Sequence, residues 1–149
     1  MTETELERIA PEDLKWAVER ALWGYEPARS SEPPLRVEVD QLGGVRITGW
    51  VRSRVIKEIV GRIAGSVPGV HGVALDVVAD PDLDVALAAA MAASPSAKQL
   101  EPGTVRVRCQ LGVARVLGKV PDLKTKAAVL DSVRHAPGVR GVEDLLLTT

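Results

Sequence analysis

Phenylalanine is absent from this chain of 149 residues, and its aromatic side chains are three tryptophans and one tyrosine. Any core must therefore be aliphatic. Val, Leu, Ile and Ala supply it, because hydrophobic residues still make up 46% of the sequence, a share that excludes disorder of the whole chain. Cysteine occurs once, at Cys109, which excludes an internal disulfide and any motif built on paired thiolates. Long apolar runs are missing too. The longest, VALAAAMAA at residues 85–93, falls far short of the roughly 20 residues that cross a bilayer. The opening MTETELERIA is acidic and lacks the apolar stretch of a secretory signal, so a cytoplasmic location is expected. Charge of one sign is also lacking. A formal net charge of −1 gives no global attraction to nucleic acid, and no nucleic-acid partner is expected.

What the chain does have is a repeat. PGVHGV begins at Pro68 and PGVRGV at Pro137, 69 residues later. The same spacing pairs Gln41, Leu42 and Gly43 with Gln110, Leu111 and Gly112. It pairs Arg46, Gly49 and Val51 with Arg115, Gly118 and Val120, and Asp13 and Leu14 with Asp82 and Leu83. One constant offset across the whole unit marks a tandem duplication. The expected organisation is an N-terminal extension at 1–11, a first domain at 12–79 and a second at 80–149. Ala79, Asp80 and Pro81 form the short boundary between them.

Each copy reads as α-β-β-α-β. In copy one a helix is expected at 12–23, with Leu14, Ala17, Val18, Ala21 and Leu22 as its apolar stripe. The stretch GYEPARSSEPP after it reads as an irregular loop. LRVEVD alternates as a strand, and VRITGWV follows after a Gly-rich hairpin turn. Ser53 is the expected cap of a helix at 54–67, which Pro68 stops before Gly69 turns the chain into a last strand at 70–78. Copy two repeats the order, with helices at 82–92 and 123–136, strands at 104–109, 113–120 and 139–147, and Asp122 in the capping role of Ser53. The expected fold class is α+β: two tandem repeats, each a three-stranded mixed sheet with two helices on one face.

GGVRITGWV with VPGVHGVALDVV, and GVARVLGKV with APGVRGVEDLLL, resemble the BON domain, a bacterial family named from osmotic-stress and nodulation proteins. The motif residues are structural glycines: Gly43, Gly49, Gly69 and Gly72, and their counterparts Gly112, Gly118, Gly138 and Gly141. The resemblance implies a non-enzymatic binding module. Its implied ligand is a phospholipid or membrane surface or another small ligand, in stress response or envelope maintenance. Cation sensing, with potassium as the cation, and a protein-interaction scaffold are the alternatives it leaves open.

No residue constellation for catalysis is present, and neither a metal nor a cofactor site is expected. His71 and His135 do not occupy equivalent repeat positions, and Cys109 alternates with Val105 and Val107 as a small core residue. Asp80 and Asp82 read as helix caps. Two surfaces are the candidates. Trp16 and Trp23 fall opposite the apolar stripe of their helix, and the counterpart helix carries Val85, Ala88, Ala89 and Ala92. That second helix is apolar almost all round, which is the pattern of burial on several sides. These faces, with Trp50, are expected to meet another copy, a homo-oligomer or protein partner, or else a ligand. The second surface is a basic sheet face of Arg106, Arg108, Arg115 and Lys119. It suits an anionic lipid or small anion, or else is a solvated face whose charges blunt aggregation.

Overall fold

The computed structural model describes residues 9–149. It divides into two compact units, the break falling between Ala79 and Asp80. The first unit runs α1 (Pro11–Trp23), α2 (Glu26–Arg29), β1 (Arg36–Val39), β2 (Gly44–Val51), α3 (Arg54–Gly65) and β3 (Gly72–Ala79). The second runs α4 (Asp80–Ala93), α5 (Pro95–Lys98), β4 (Val105–Gln110), β5 (Val113–Val120), α6 (Leu123–Arg134) and β6 (Gly141–Thr148). The sheets have the order β1-β2-β3 and β4-β5-β6, each with one antiparallel and one parallel pairing. The hairpin makes the antiparallel pair, and the second long helix of each unit is the crossover that a parallel pair requires.

The cores are aliphatic. In the first unit Leu14, Val18 and Leu22 of α1 and Val60 and Ala64 of α3 close on Val37, Val45, Ile47, Val51, Val77 and Ala79 of the sheet. The second unit does the same with Leu83, Leu87, Val129, Leu130 and Val133 against Ala114, Val116, Val120 and Leu146. Burying each Leu, Val or Ile contributes about 1.5–3 kcal/mol, and alternation along the strands sends the polar residues to the opposite face. Both central helices are capped as their sequences require. Ser53 Oγ accepts from the Ile56 N–H at 3.1 Å, and Asp122 Oδ1 from the Thr125 N–H at 2.7 Å.

Several elements differ from the sequence reading. The loops after the first helices are not wholly irregular: each contains one turn of helix, Glu26–Arg29 and Pro95–Lys98, with a proline in its first turn, where the missing N–H costs nothing. Helices α3 and α6 end at Gly65 and Arg134, before the prolines, because Ser66 and His135 already close the last turn. No linker separates the units, since β3 ends at Ala79 and α4 starts at Asp80.

The offset between the copies is not constant either. Val37 pairs with Ile47 in the first hairpin, whereas Val107 pairs with Val116 in the second. The first strand of copy two is thus displaced by one further residue. The cause lies in the turns. In copy one Asp40 accepts at Oδ1 from the N–H groups of Leu42 and Gly44, both at 2.8 Å, and closes a three-residue loop with Gly43 at φ +82°. In copy two Leu111 and Gly112 both have positive φ, 47° and 85°, the signature of a two-residue type I′ turn.

The two PGV corners rest on these turns. His71 N–H donates to the Gly43 carbonyl and Arg140 N–H to the Gly112 carbonyl, each at 2.9 Å. Arg140 Nε also donates to the Leu111 carbonyl at 2.6 Å, and Leu111 N–H donates to Asp80 Oδ2 at 3.2 Å. A leucine in the left-handed region is thereby held from both sides.

Candidate functional site

The registers assemble one face that the hairpin alone does not reveal. On the outer side of the second sheet Arg106, Leu117 and Leu145 form one row, Arg108, Arg115 and Glu143 the next, and Lys119 and Leu147 a third. Leu147 is 60% exposed and Leu145 38%. Arg115 Nε lies 3.0 Å from Glu143, so this cation is paired. The remaining cations, Arg106, Arg108 and Lys119, flank exposed leucines. The sequence reading named the cations and missed Leu117, Leu145 and Leu147. Leu145 and Leu147 come from the last strand, and only the β5–β6 register sets them beside the hairpin.

Copy one has built the same face differently. Its rows are Arg36, Thr48 and Asp76, then Glu38, Arg46 and Ala74, with Trp50 beside Val78. Arg46 Nη1 pairs with Asp76 Oδ2 at 3.3 Å. Positive and negative side chains balance there, and Trp50 is half-buried. Copy two has Leu145 in place of Asp76, Arg108 in place of Glu38, Lys119 in place of Trp50 and Glu143 in place of Ala74, so the face loses one acid on balance and gains two cations beside exposed leucines.

The tryptophan face is solvent-exposed in the single chain. Trp16 is 62% and Trp23 65% exposed, with the Arg20 guanidinium 5.2 Å from the Trp16 ring and that of Arg29 5.8 Å from Trp23. Within the single chain helix α4 buries Leu83 and Leu87 and leaves Val85, Ala88, Ala89 and Ala92 exposed, so its own unit covers one stripe of it.

Part of that outer side of α4 borders a groove. Between α4 and β4 lies an open space of about 560 Å³, lined by Leu87, Ala88, Met91, Val105, Val107 and Arg108, with Asp84 and Cys109 at one end. Cys109 is not a plain core residue. Its thiol donates to Asp84 Oδ1 at 2.8 Å and lies 3.3 Å from the Asp80 carbonyl. Burial first, then the Asp84 hydrogen bond and charge, push this thiol up to about 12, far from the thiolate range. His71 and His135 are exposed, the latter beside its helix neighbour Asp131.

The glycines divide into two groups. Gly43, Gly49, Gly69, Gly112, Gly118 and Gly138 have positive φ. Gly72 and Gly141 do not, and a Cβ at Gly72 meets nothing within 4 Å, so neither conformation nor crowding demands glycine at those two strand starts.

Among the described residues no group of three or more His, Cys, Asp or Glu side chains is placed to hold a metal ion, and no helix is long and apolar enough to cross a membrane. What the two units present is a set of faces and edges on a duplicated helix–hairpin–helix–strand scaffold, the anatomy of a small α+β binding module. The BON domain model matches the chain twice, over residues 26–81 and 79–149, and the chain belongs to the BON-domain family. The first match leaves helix α1, with Trp16 and Trp23, outside it. The family is one of binding modules and is not defined by catalytic residues. A search of curated proteins found no match.

Among solved structures the chain is similar to CdsD, a structural protein of the type III secretion system of Chlamydia trachomatis. The identity is 16% and the TM-score 0.60, over 88% of this chain and 63% of that one. It also matches the C-terminal domain of CdsD at 14% identity and a TM-score of 0.39, over 95% of this chain and 100% of that one. The periplasmic domain of PrgH matches at 16% identity and a TM-score of 0.32, over 95% of this chain and 74% of that one. The chain thus spans less than two thirds of the first of these structures, and that likeness is one of fold.

Proposed function

We propose that the protein is a tandem binding module whose second unit rests its outer sheet face on an anionic phospholipid surface. The observation that carries this reading is the row structure of that face: exposed Leu145 and Leu147 stand among Arg106, Arg108 and Lys119. Leucines enter the headgroup boundary while the long cationic stems reach anionic headgroups from its rim. Each cation near such a surface contributes about 1 kcal/mol, so three give only weak attachment and the leucines must add to it. Binding is therefore reversible and salt-sensitive.

Copy one, with its charges balanced across Arg36, Glu38, Arg46 and Asp76, plays the lesser part. Stress or envelope maintenance is the setting this reading gives such a module. The test is co-sedimentation of the full chain with phosphatidylglycerol-containing and pure phosphatidylcholine vesicles. Binding to the former at low salt, weakened at high salt, is expected. No binding to anionic vesicles at low ionic strength overturns the reading.

A further inference from the structure

We propose that strand β4 and the groove beneath helix α4 form a receptor for an extended segment of a partner protein, in which uncharged apolar and acidic residues alternate. The two copies supply the comparison. Each has a groove between its first helix and its first strand. In copy one it is about 190 Å³ and is bordered by Glu19, Leu22, Leu35 and Val37. In copy two the corresponding residues are Ala88, Met91, Val105 and Val107, and the space is about 560 Å³. Trp23, Ala28, Arg29 and Pro34 also line the first groove, and its Glu19 and Trp23 are replaced by Ala88 and Ala92 in the second copy. Val37 is buried at 5% exposure, whereas its counterpart Val107 is only partly buried, as Leu35 and Val105 both are. The second copy has kept the fold and opened a slot of ligand-binding size.

The slot runs beside an open edge. Among the described residues strand β4 pairs only with β5, so alternate backbone N–H and C=O groups of its six residues point away from the sheet. An edge with a parallel groove is the geometry that accepts an added strand: main-chain hydrogen bonds hold it, and every second side chain enters the groove. The chemistry of both sides of that strand follows. Side chains entering the groove meet Leu87, Met91 and Val107, with Arg108 at its border and Asp84 at the end opposing a carboxylate, so apolar side chains fit its floor. Side chains on the other face lie beside Arg106 and Arg108, which favour acids.

The same arginines argue against a second copy as occupant. Antiparallel pairing of β4 with itself sets Arg106 opposite Arg108, like charge on like. A lipid surface does not satisfy a row of backbone donors and acceptors. An acidic, apolar-alternating segment meets every requirement.

The proposal shares Arg106 and Arg108 with the lipid-facing reading but not Lys119 or Leu147, and its test keeps the two separable. The probe is a fluorescein-labelled, end-blocked eight-residue peptide alternating valine and glutamate, titrated by anisotropy into the full chain at low salt. Its lysine counterpart is the control. Saturable binding of the glutamate peptide is expected, at least tenfold tighter than the lysine peptide. Ala88→Trp, which refills the groove from an exposed helix position, is expected to weaken it at least tenfold, and so is Arg108→Glu. Lys119→Glu combined with Leu147→Ser, which damages the lipid-facing surface, leaves it unchanged. Amide exchange slows along Val105–Gln110 in the complex. Equal binding of the two peptides, no effect of Ala88→Trp, or unchanged exchange on β4 overturns the proposal.

Discussion

Cys109 shows how far one side chain departs from what alternation implies. Its position in VRVRC points it inward, as the sequence says, but the space beside it is a groove and not a sealed core. There it meets Asp84 and remains a thiol. The chemical consequence is low reactivity: alkylation of Cys109 at pH 8 proceeds well below the rate of an ordinary exposed thiol. Asp84→Asn removes the charge that opposes the thiolate and raises the rate several-fold, measured by mass-monitored iodoacetamide labelling. An unchanged rate shows that burial alone sets it.

A second residue-scale effect concerns acid. The Thr125 backbone N–H holds the Asp122 carboxyl below its ordinary 3.8, and the Leu146 N–H, then Lys126, hold Asp144 below the same value. Both pKa values are lower folded than unfolded. Their stabilising contribution is therefore complete above about pH 4 and is lost as pH falls through the depressed values. Melting temperature measured from pH 7 to pH 2 is expected to drop in that acid window. Asp122→Asn, which keeps a capping oxygen but removes the charge, makes the drop shallower.

At the scale of elements, the two hairpins explain what the sequence disclosed and what it hid. The four long helices, the capping residues Ser53 and Asp122 and the chain order of the strands were legible, because apolar periodicity and N-cap chemistry are local; the one-turn helices at Glu26–Arg29 and Pro95–Lys98, too short to show a period, were not. The one-residue shift of the first strand was not. The QLG triplet is identical in both copies and fixes the alignment by letters, while Asp40 closes a longer turn in one copy and Leu111 a tighter one in the other.

The mid-strand glycines carry a further expectation. Gly49 and Gly118 are equivalent and share positive φ, +145° and +136°. A Cβ at Gly49 meets the far end of the flexible Leu35 side chain at 2.6 Å, whereas at Gly118 it runs into the backbone carbonyl of Thr104. Both alanine variants are strained by about 1–3 kcal/mol. Gly118→Ala is expected to be the costlier, and urea melts of the two read the difference. Equal losses mean that backbone conformation alone accounts for the cost.

Over the whole molecule, duplication set a scaffold and divergence set the surfaces. The repeat told how many units to expect and how each is wound. It did not tell how the two outer faces differ, because that depends on pairs brought together by register: Leu145 beside Leu117, Glu143 beside Arg115. The tryptophans drew attention through rarity, yet the family match to copy one starts after the helix that bears two of them.

Copy two, with acid replaced by leucine and arginine on its outer face, is the binding half of this account. The direct measurement is vesicle flotation of the full chain beside two face variants, Lys119→Glu with Leu147→Ser in copy two and Arg46→Glu in copy one, with phosphatidylglycerol vesicles at low salt. Loss of at least tenfold in apparent affinity for the copy-two variant, and little change for the copy-one variant, is the predicted result. Equal losses in both, or none in either, contradict it.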